Sequence, residues 1–257
     1  MNTSLKSALQ LVWRTPLLAL HLLLGVLLAA LVFWALPVAG KRALTRWWSA
    51  VVVLIFHTRT RCVGSPPLPG QGVMVVSNHI SWLDIPVLNS IAPMRFVAKA
   101  EIRRWPVIGF FCAQTGTIFI RRGLRHAVHQ VMHHLKEVMQ AGATVGVFPE
   151  GTTSAGNGLL PFHANLLQAV LEVGVPIVPV AVRYRDALDG TPSSLPAYID
   201  QVSIIESLRR VLSSNGLIAE VTYLDPILAT PEMTRHDLAR QAQAAIAQSL
   251  GFALPHK

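Results

Sequence analysis

The first 83 residues contain no aspartate and no glutamate. Asp84 is the first acid in a chain of 257 residues, and seven Lys and Arg side chains come before it. The remaining 174 residues carry 15 basic and 13 acidic groups, so most of the net charge of +9 lies in the first third. These charges flank apolar segments and do not gather on a polar face. That argues against a nucleic-acid partner and for an anionic lipid surface. Cysteine is scarce: Cys62 and Cys112 stand 50 residues apart, with no Cys-x-x-Cys pair, so no disulfide framework is encoded. Cys112 falls in the apolar run VIGFFCAQ and reads as core, and both thiols suit a reducing compartment. Internal repeats, low-complexity segments and a G-x-S-x-G elbow are also missing, which disfavours Ser77 or Ser81 as a nucleophile.

Apolar residues are abundant, at 52% of the chain with a mean hydropathy of +0.46. Between Arg14 and Lys41 no charge interrupts 26 residues, TPLLALHLLLGVLLAALVFWALPVAG, long enough for a helix to span a bilayer core. The run is longer than a signal-peptide core and no small-residue cleavage site follows it, so a retained anchor is expected. A spanning helix and a monotopic pair both fit. A second apolar piece, WWSAVVVLIF (47–56), is too short to span. It is expected in the interface, with Trp47 and Trp48 at headgroup level. Lys41, Arg42 and Arg46 follow the first segment and place the bulk of the chain at the cytoplasmic face of a bacterial-type inner membrane.

The expected organisation is a membrane-anchoring helical segment over 1–61, a Pro/Gly-rich linker over 62–72 and an α/β domain over 73–257. In that domain short apolar runs recur: VMVVS, RFVAK, TIFIR, TVGVF, PIVPVAV, QVSII and AEVTYL. Most are near-continuously apolar, as strands covered on both faces are. Helical periodicity covers 124–140, with Val131, Leu135 and Val138 on one face and His126, His129 and His133 on the other. The three histidines lack a carboxylate or Cys partner and read as a solvated face, not a metal site. Residues 234–250 form another helix, opened by a Thr234-x-x-Asp237 capping box. The fold class is α/β: a mixed, largely buried sheet flanked by helices, preceded by the N-terminal membrane-anchoring segment.

Three stretches carry candidate chemistry. In VVSNHISWLDIP (75–86) a strand ends at Ser77, and His79 and Asp84 follow on the way into a helix. A carboxylate bonded to one imidazole nitrogen would fix the tautomer and leave the other nitrogen as a base. Equally, Asp84 could cap a helix whose first turn holds Pro86, with His79 a loop histidine. In VGVFPEGTTSAGNG (145–158) a strand terminus delivers Glu150 to the mouth of a sheet, with Gly151 free to adopt a conformation barred to other residues. Alone, this is also compatible with an ordinary turn. In KAEIRRWPVIGFFCAQTGTIFIRRG (99–123), Lys99, Arg103, Arg104, Arg121 and Arg122 bracket an apolar segment that could pave a groove with cationic rims.

Together these stretches resemble the glycerophospholipid acyltransferase family, whose best-known members acylate lysophosphatidic acid. The family's NHxxxxD is Asn78, His79 and Asp84. Its K-x-E-x-x-x-x-P-x-x-G and G-x-I-F-I-x-R patterns are met by Lys99, Glu101, Pro106, Gly109, Gly116, Ile118 and Arg122. Its FPEGTRS is here FPEGTTS (148–154), and its V-P-I-V-P-V-A run is complete at 175–181. The resemblance implies that His79 takes a proton from the hydroxyl of a lyso-lipid acceptor, oriented by Asp84. The oxygen then attacks the thioester of acyl-CoA or acyl carrier protein, with no metal or organic cofactor. It further implies that Glu150, Gly151, Thr152 and Thr153 shape the acceptor site and that Lys99, Arg103 and Arg122 meet its anionic group. Two departures matter. Thr153 stands where the family has Arg, and His163 where it often has Lys, so positive charge is lost where an acceptor phosphate is expected. The implied acceptor is lysophosphatidate by family prevalence, with lyso-ornithine lipid, whose headgroup is an amino acid, as its rival. An acyl-thioester hydrolase is a third reading of the same His–Asp pair.

Overall fold

A computed structural model describes residues 3–121, 125–199 and 202–254. Arg122 and the side chains of His126, Val128 and His129 lie outside the described residues. The chain opens with two helices, α1 (Thr3–Leu31) and α2 (Val38–Ile55), and an edge strand, β1 (Thr58–Val63). Alternating elements follow: β2 (Val73–Ser77), α3 (Asp84–Ile91), β3 (Arg95–Lys99), α4 (Ile108–Gln114), β4 (Ile118–Ile120), α5 (Arg125–Gln140) and β5 (Thr144–Val147). Then come α6 (Gln168–Val173), β6 (Ile177–Asp186), α7 (Ile204–Leu212), β7 (Leu217–Tyr223) and α8 (Arg235–Leu250).

One seven-stranded sheet runs in the order β1-β7-β6-β2-β5-β3-β4. Neighbours are parallel except β6 and β7, so β1 and β7 oppose the other five. The mixed sheet expected from the sequence is found. Its apolar strands are continuous because both faces are covered. Val75 of β2 and Val178, Val180 and Val182 of β6 face a layer that includes α2, α3 and α7. Met74 and Val76 face the opposite layer with Leu135 of α5, Val170 of α6 and Leu238 of α8. The period of two sends successive side chains into the two cores.

The join of anchor and domain differs from expectation. The sheet begins at Thr58, inside the segment assigned to the anchor and ahead of the domain start at residue 73. β1 is a charged edge strand, TRTRCV, bonded on one side only to β7, and such an edge needs no apolar run. QVSII, expected as a strand, instead leads into α7. The Ser203 hydroxyl accepts from the Glu206 N–H at 3.2 Å and caps a helix starting at Ile204. A Ser-x-x-Glu start signal outweighs two adjacent isoleucines. The helices predicted over 124–140 and 234–250 are present, and the Thr234–Asp237 capping box is formed.

The N-terminal helices are packed on the domain. α1 contains a stretch, Leu5–Leu31, long and apolar enough to cross a membrane. One face of it is docked: the buried Arg14 donates through Nη1 to the carbonyls of Leu212 (2.7 Å) and Ser214 (3.0 Å), at the C-terminal end of α7. Gly25 admits a close approach, since a Cβ there would lie 2.5 Å from Trp48 Nε1 and 2.7 Å from Phe111 Cζ. One face of the WWSAVVVLIF piece, expected in the interface, packs on the sheet. Val52, Val53, Ile55 and Phe56 are core residues, and Trp48 stacks on His21 at 5.1 Å and meets Phe111 at 4.7 Å. Only Trp47 of the pair turns outward. α2 covers the same sheet face as α3 and α7, while Trp47 and Leu54 stay exposed on its other side.

Where β2 leaves the sheet, its pairing with β6 is prolonged by a side chain. Asn78 Nδ2 donates to the Val182 carbonyl at 2.9 Å, and the Val182 N–H donates to Asn78 Oδ1 at 2.8 Å. A carboxamide reproduces the donor and acceptor of a peptide, so it ties the loop to the neighbouring strand as one more rung. Asn78→Ala strands both groups of the fully buried Val182. We expect a loss of about 2–4 kcal/mol in denaturant unfolding of the detergent-solubilised protein; a loss under about 1 kcal/mol would contradict this role.

Candidate active site

The strand connections fix where a site can form. From β2 the chain passes through α3 on one face of the sheet; from β5, its neighbour, it passes through α6 on the other. A crevice opens at the carboxyl ends of two strands whose connections diverge in this way. β2 delivers His79 to that crevice and β5 delivers Glu150.

His79 and Asp84 meet. His79 Nδ1 lies 2.8 Å from Asp84 Oδ2, with Asp84 completely buried and the His79 side chain 17% exposed. The loop between them doubles back around the carboxylate. Oδ2 also accepts from the N–H groups of Ile80 (2.7 Å) and Ser81 (3.0 Å), and Oδ1 accepts from the Tyr184 hydroxyl (2.7 Å). Asp84 is therefore not the cap of α3 that the sequence also allowed. The capping position is Leu83, and the amides that Asp84 binds lie upstream of the helix. A carboxylate with only donors around it is an acceptor throughout, so the shared proton belongs to His79 Nδ1 and the Nε2 lone pair is free. Ser77 and Ser81 are buried, and the Ser81 hydroxyl accepts from the Leu83 N–H, so neither is placed to act as a nucleophile.

The imidazole is held on one face, and its loop is tied down behind it. Its ring stacks on Phe148, 3.9 Å between centroids and 11° between planes, and Phe148 stacks in turn on Phe96. The His79 carbonyl accepts from the Ser154 N–H at 2.8 Å, and the Ile80 carbonyl from the Tyr198 N–H at 3.0 Å. Sequence reasoning missed Phe148, Tyr184 and Tyr198 as parts of the site. Phe148 sits in the FPEG stretch and could have been found there, but the two tyrosines carry no local signal.

Glu150 is buried, and neither carboxyl oxygen has a hydrogen-bond partner. Burial pushes its pKa up from 4.5 to about 8, the backbone amides of Leu160 and His79 pull it the other way, and the charge of Asp84 adds a smaller rise. Glu150 is thus a neutral acid at pH 7. Gly151 follows at φ +69°, where the chain turns away from the crevice.

Beyond that turn lies an open cavity of ≈ 630 Å³, lined by residues that include Thr152, Thr153, Asn157, Leu159 and Tyr198. Among the described residues that line it, none is charged. The Thr153 hydroxyl donates to the Tyr198 carbonyl, so the residue that replaces the family's Arg belongs to the wall. His163 is exposed, and its N–H donates to the Pro149 carbonyl at 2.9 Å. Lys99 ends β3, which pairs with β5 through Phe96 and Gly146, so its backbone points to the same end of the sheet. Lys99 and Arg103 are exposed, and among the described residues no hydrogen bond or ion pair joins them to His79, Asp84 or Glu150. The Arg103 guanidinium lies 5.7 Å from the Phe119 ring centroid.

Comparison with known proteins agrees with the geometry. The sequence pattern of the family described as acyltransferase matches residues 59–183. A lyso-ornithine lipid O-acyltransferase of Pseudomonas aeruginosa is 38% identical over 84% of this chain and 81% of its own length. A 1-acyl-sn-glycerol-3-phosphate acyltransferase of Neisseria gonorrhoeae is 37% identical over 72% of both. The crystal structure of the 1-acyl-sn-glycerophosphate (LPA) acyltransferase from Thermotoga maritima shares the fold, with a TM-score of 0.73 over 97% of both chains at 18% identity. With its NHxxxxD pair assembled at a strand switch point, the chain belongs to the glycerophospholipid acyltransferase family and is an O-acyltransferase.

Proposed function

We propose that the enzyme transfers a fatty acyl group from a thioester of coenzyme A or acyl carrier protein to the hydroxyl of lyso-ornithine lipid at a membrane surface. The observation that carries the chemistry is the 2.8 Å contact of His79 Nδ1 with the buried Asp84, which leaves Nε2 as a base in a partly open crevice. Nε2 takes the acceptor hydroxyl proton as the oxygen attacks the thioester carbonyl carbon. The carbon–sulfur bond breaks, and the imidazolium returns the proton to the leaving thiolate. Asp84 steadies the transient imidazolium. Ester and thiol are the products, and no covalent enzyme intermediate is required.

The charges among the described residues of the site support this acceptor. A phosphate headgroup calls for fixed positive charge, whereas the described residues of the cavity wall are uncharged and Thr153 is tied to a backbone carbonyl. An amino-acid headgroup, carrying an ammonium beside its carboxylate, needs no net countercharge. Neutral Glu150 can donate a hydrogen bond into such a site or ionise toward an ammonium. The likeness to the Pseudomonas relative supports the same reading.

The N-terminal helices suit a membrane-facing role. The side of α1 away from the domain exposes Leu9, Val12, Leu20, Leu27 and Leu31, with Trp34 beyond its end. Its other side is pinned through Arg14, which favours a helix lying in one leaflet over one crossing both.

With labelled acyl-CoA or acyl carrier protein, lyso-ornithine lipid should be acylated with a kcat/KM at least about 10-fold above that for lysophosphatidate. Preference for lysophosphatidate would overturn the acceptor, and free fatty acid as the main product with either acceptor would overturn transferase activity. His79→Ala should lower transfer about 10²–10⁴-fold, and full retention would sink the base assignment.

Glu150 adds a pH-dependent prediction. The unfolded chain releases this proton near 4.5 and the folded protein near 8, so folding stability falls as pH rises through that window and is level outside it. Glu150→Gln, which keeps the neutral shape, should exceed the parent by on the order of a few kcal/mol at pH 8.5 and match it below pH 4. Equal stability of the two at high pH would show that Glu150 is not held neutral.

A further inference from the structure

The hydroxyl of Tyr184 makes one hydrogen bond, to Asp84 Oδ1 at 2.7 Å, across 100 residues of sequence. The ring is 1% exposed and packs among Val180, Val182 and Leu83 on the sheet face beneath α3. Its position is set by the same strand that receives Asn78. Val182 carries the rung to Asn78, and Tyr184, two residues on and on the same face, reaches under the loop that Asn78 opens.

The four donors to Asp84 are unequally shared. Oδ2 takes His79 Nδ1 and two backbone amides, whereas Oδ1 takes Tyr184 alone. Without that hydroxyl, one oxygen of a fully buried carboxylate would face apolar side chains with no partner. We propose that Tyr184 is a positioning residue for acyl transfer: its hydroxyl fixes the plane of the Asp84 carboxylate and draws charge toward Oδ1, setting how strongly Oδ2 holds the His79 ring. The site is then a Tyr–Asp–His chain and not a pair. This inference rests on the general-base reading of His79.

The titratable groups facing Asp84 are His79 from its own loop, Tyr184 from β6 and Glu150 from the end of β5. Burial, and then the Asp84 charge, push the Tyr184 phenol well above its ordinary value, so it remains a proton donor throughout the working range. Glu150 changes charge near pH 8, so the acidic limb of the rate profile is read below that value.

Tyr184→Phe keeps the ring and removes only the donor. More negative charge then stays on Oδ2 and favours the protonated, inactive form of the His79–Asp84 unit. The acidic limb of the kcat/KM profile should move to higher pH by about half a unit, and kcat should fall about 10-fold with KM for both substrates nearly unchanged. A second variant, with 3-fluorotyrosine incorporated at position 184, has a more acidic hydroxyl. It should keep near-parental kcat and move the limb the opposite way. A Phe variant that melts earlier yet keeps the parental limb and kcat would overturn the proposal, as would two variants that shift the limb in the same direction. If His79→Ala abolishes transfer while both variants at 184 behave as the parent, the Tyr184 inference alone fails. If His79→Ala stays active, the general-base reading fails beneath it.

Discussion

The buried carboxylate of Asp84 is the constraint on which the active-site end of the molecule depends. Removing an ionised carboxylate from water costs several kcal/mol, and that cost is tolerable only where donors surround it. Here four do: two amides of its own loop, one imidazole nitrogen and one phenol from β6. Charge-assisted hydrogen bonds contribute roughly 1.5–3 kcal/mol each, enough in sum to hold the charge in place. The same bonds bend the loop, orient His79 and tie it to the sheet, so folding and chemistry draw on a single set of contacts. Asn78 extends the constraint outward by fixing where the loop leaves β2.

Glu150 shows the opposite treatment of the same functional group a short way off. It too is buried, without the ring of close donors that surrounds Asp84, and burial keeps its proton on to about pH 8. Two carboxyls at one crevice thus meet different surroundings: donors encircle Asp84, whereas burial dominates at Glu150. The sheet makes this pairing possible. Adjacent strands with connections on opposite faces bring residues 79 and 150 to one crevice, and β6 brings residue 184 up from beneath.

What could be read from the sequence was what is local. His79 and Asp84 are five residues apart, and the acidless stretch before them marked the basic, apolar N-terminus. The covered strands announced themselves as apolar runs, and Thr234–Asp237 announced a helix. The rest depended on partners far along the chain or on partners withheld. β1 is held by β7 alone and so could be polar. Ile204 and Ile205 imitated a strand, although Ser203 had already begun a helix. That α2 packs one face on the sheet was hidden, because its apolar side was visible while the sheet it covers was not. Tyr184 gave no signal, since its role exists only once β6 lies beside β2. The ionisation of Glu150 was equally hidden, because it comes chiefly from burial that only the folded sheet creates.

The central claim is that an ionised Asp84, and not merely a side chain of its shape, orients His79 as a base. Asp84→Asn is its most direct test. The amide has the same outline and its oxygen can still accept from Ile80 and Ser81, but it carries no charge to steady an imidazolium or to impose the required tautomer. Measured on a folded variant with saturating acyl donor and lyso-lipid, kcat should fall by about 10³-fold or more with KM little changed. A variant within about tenfold of the parent would contradict the account, because geometry without charge would then suffice.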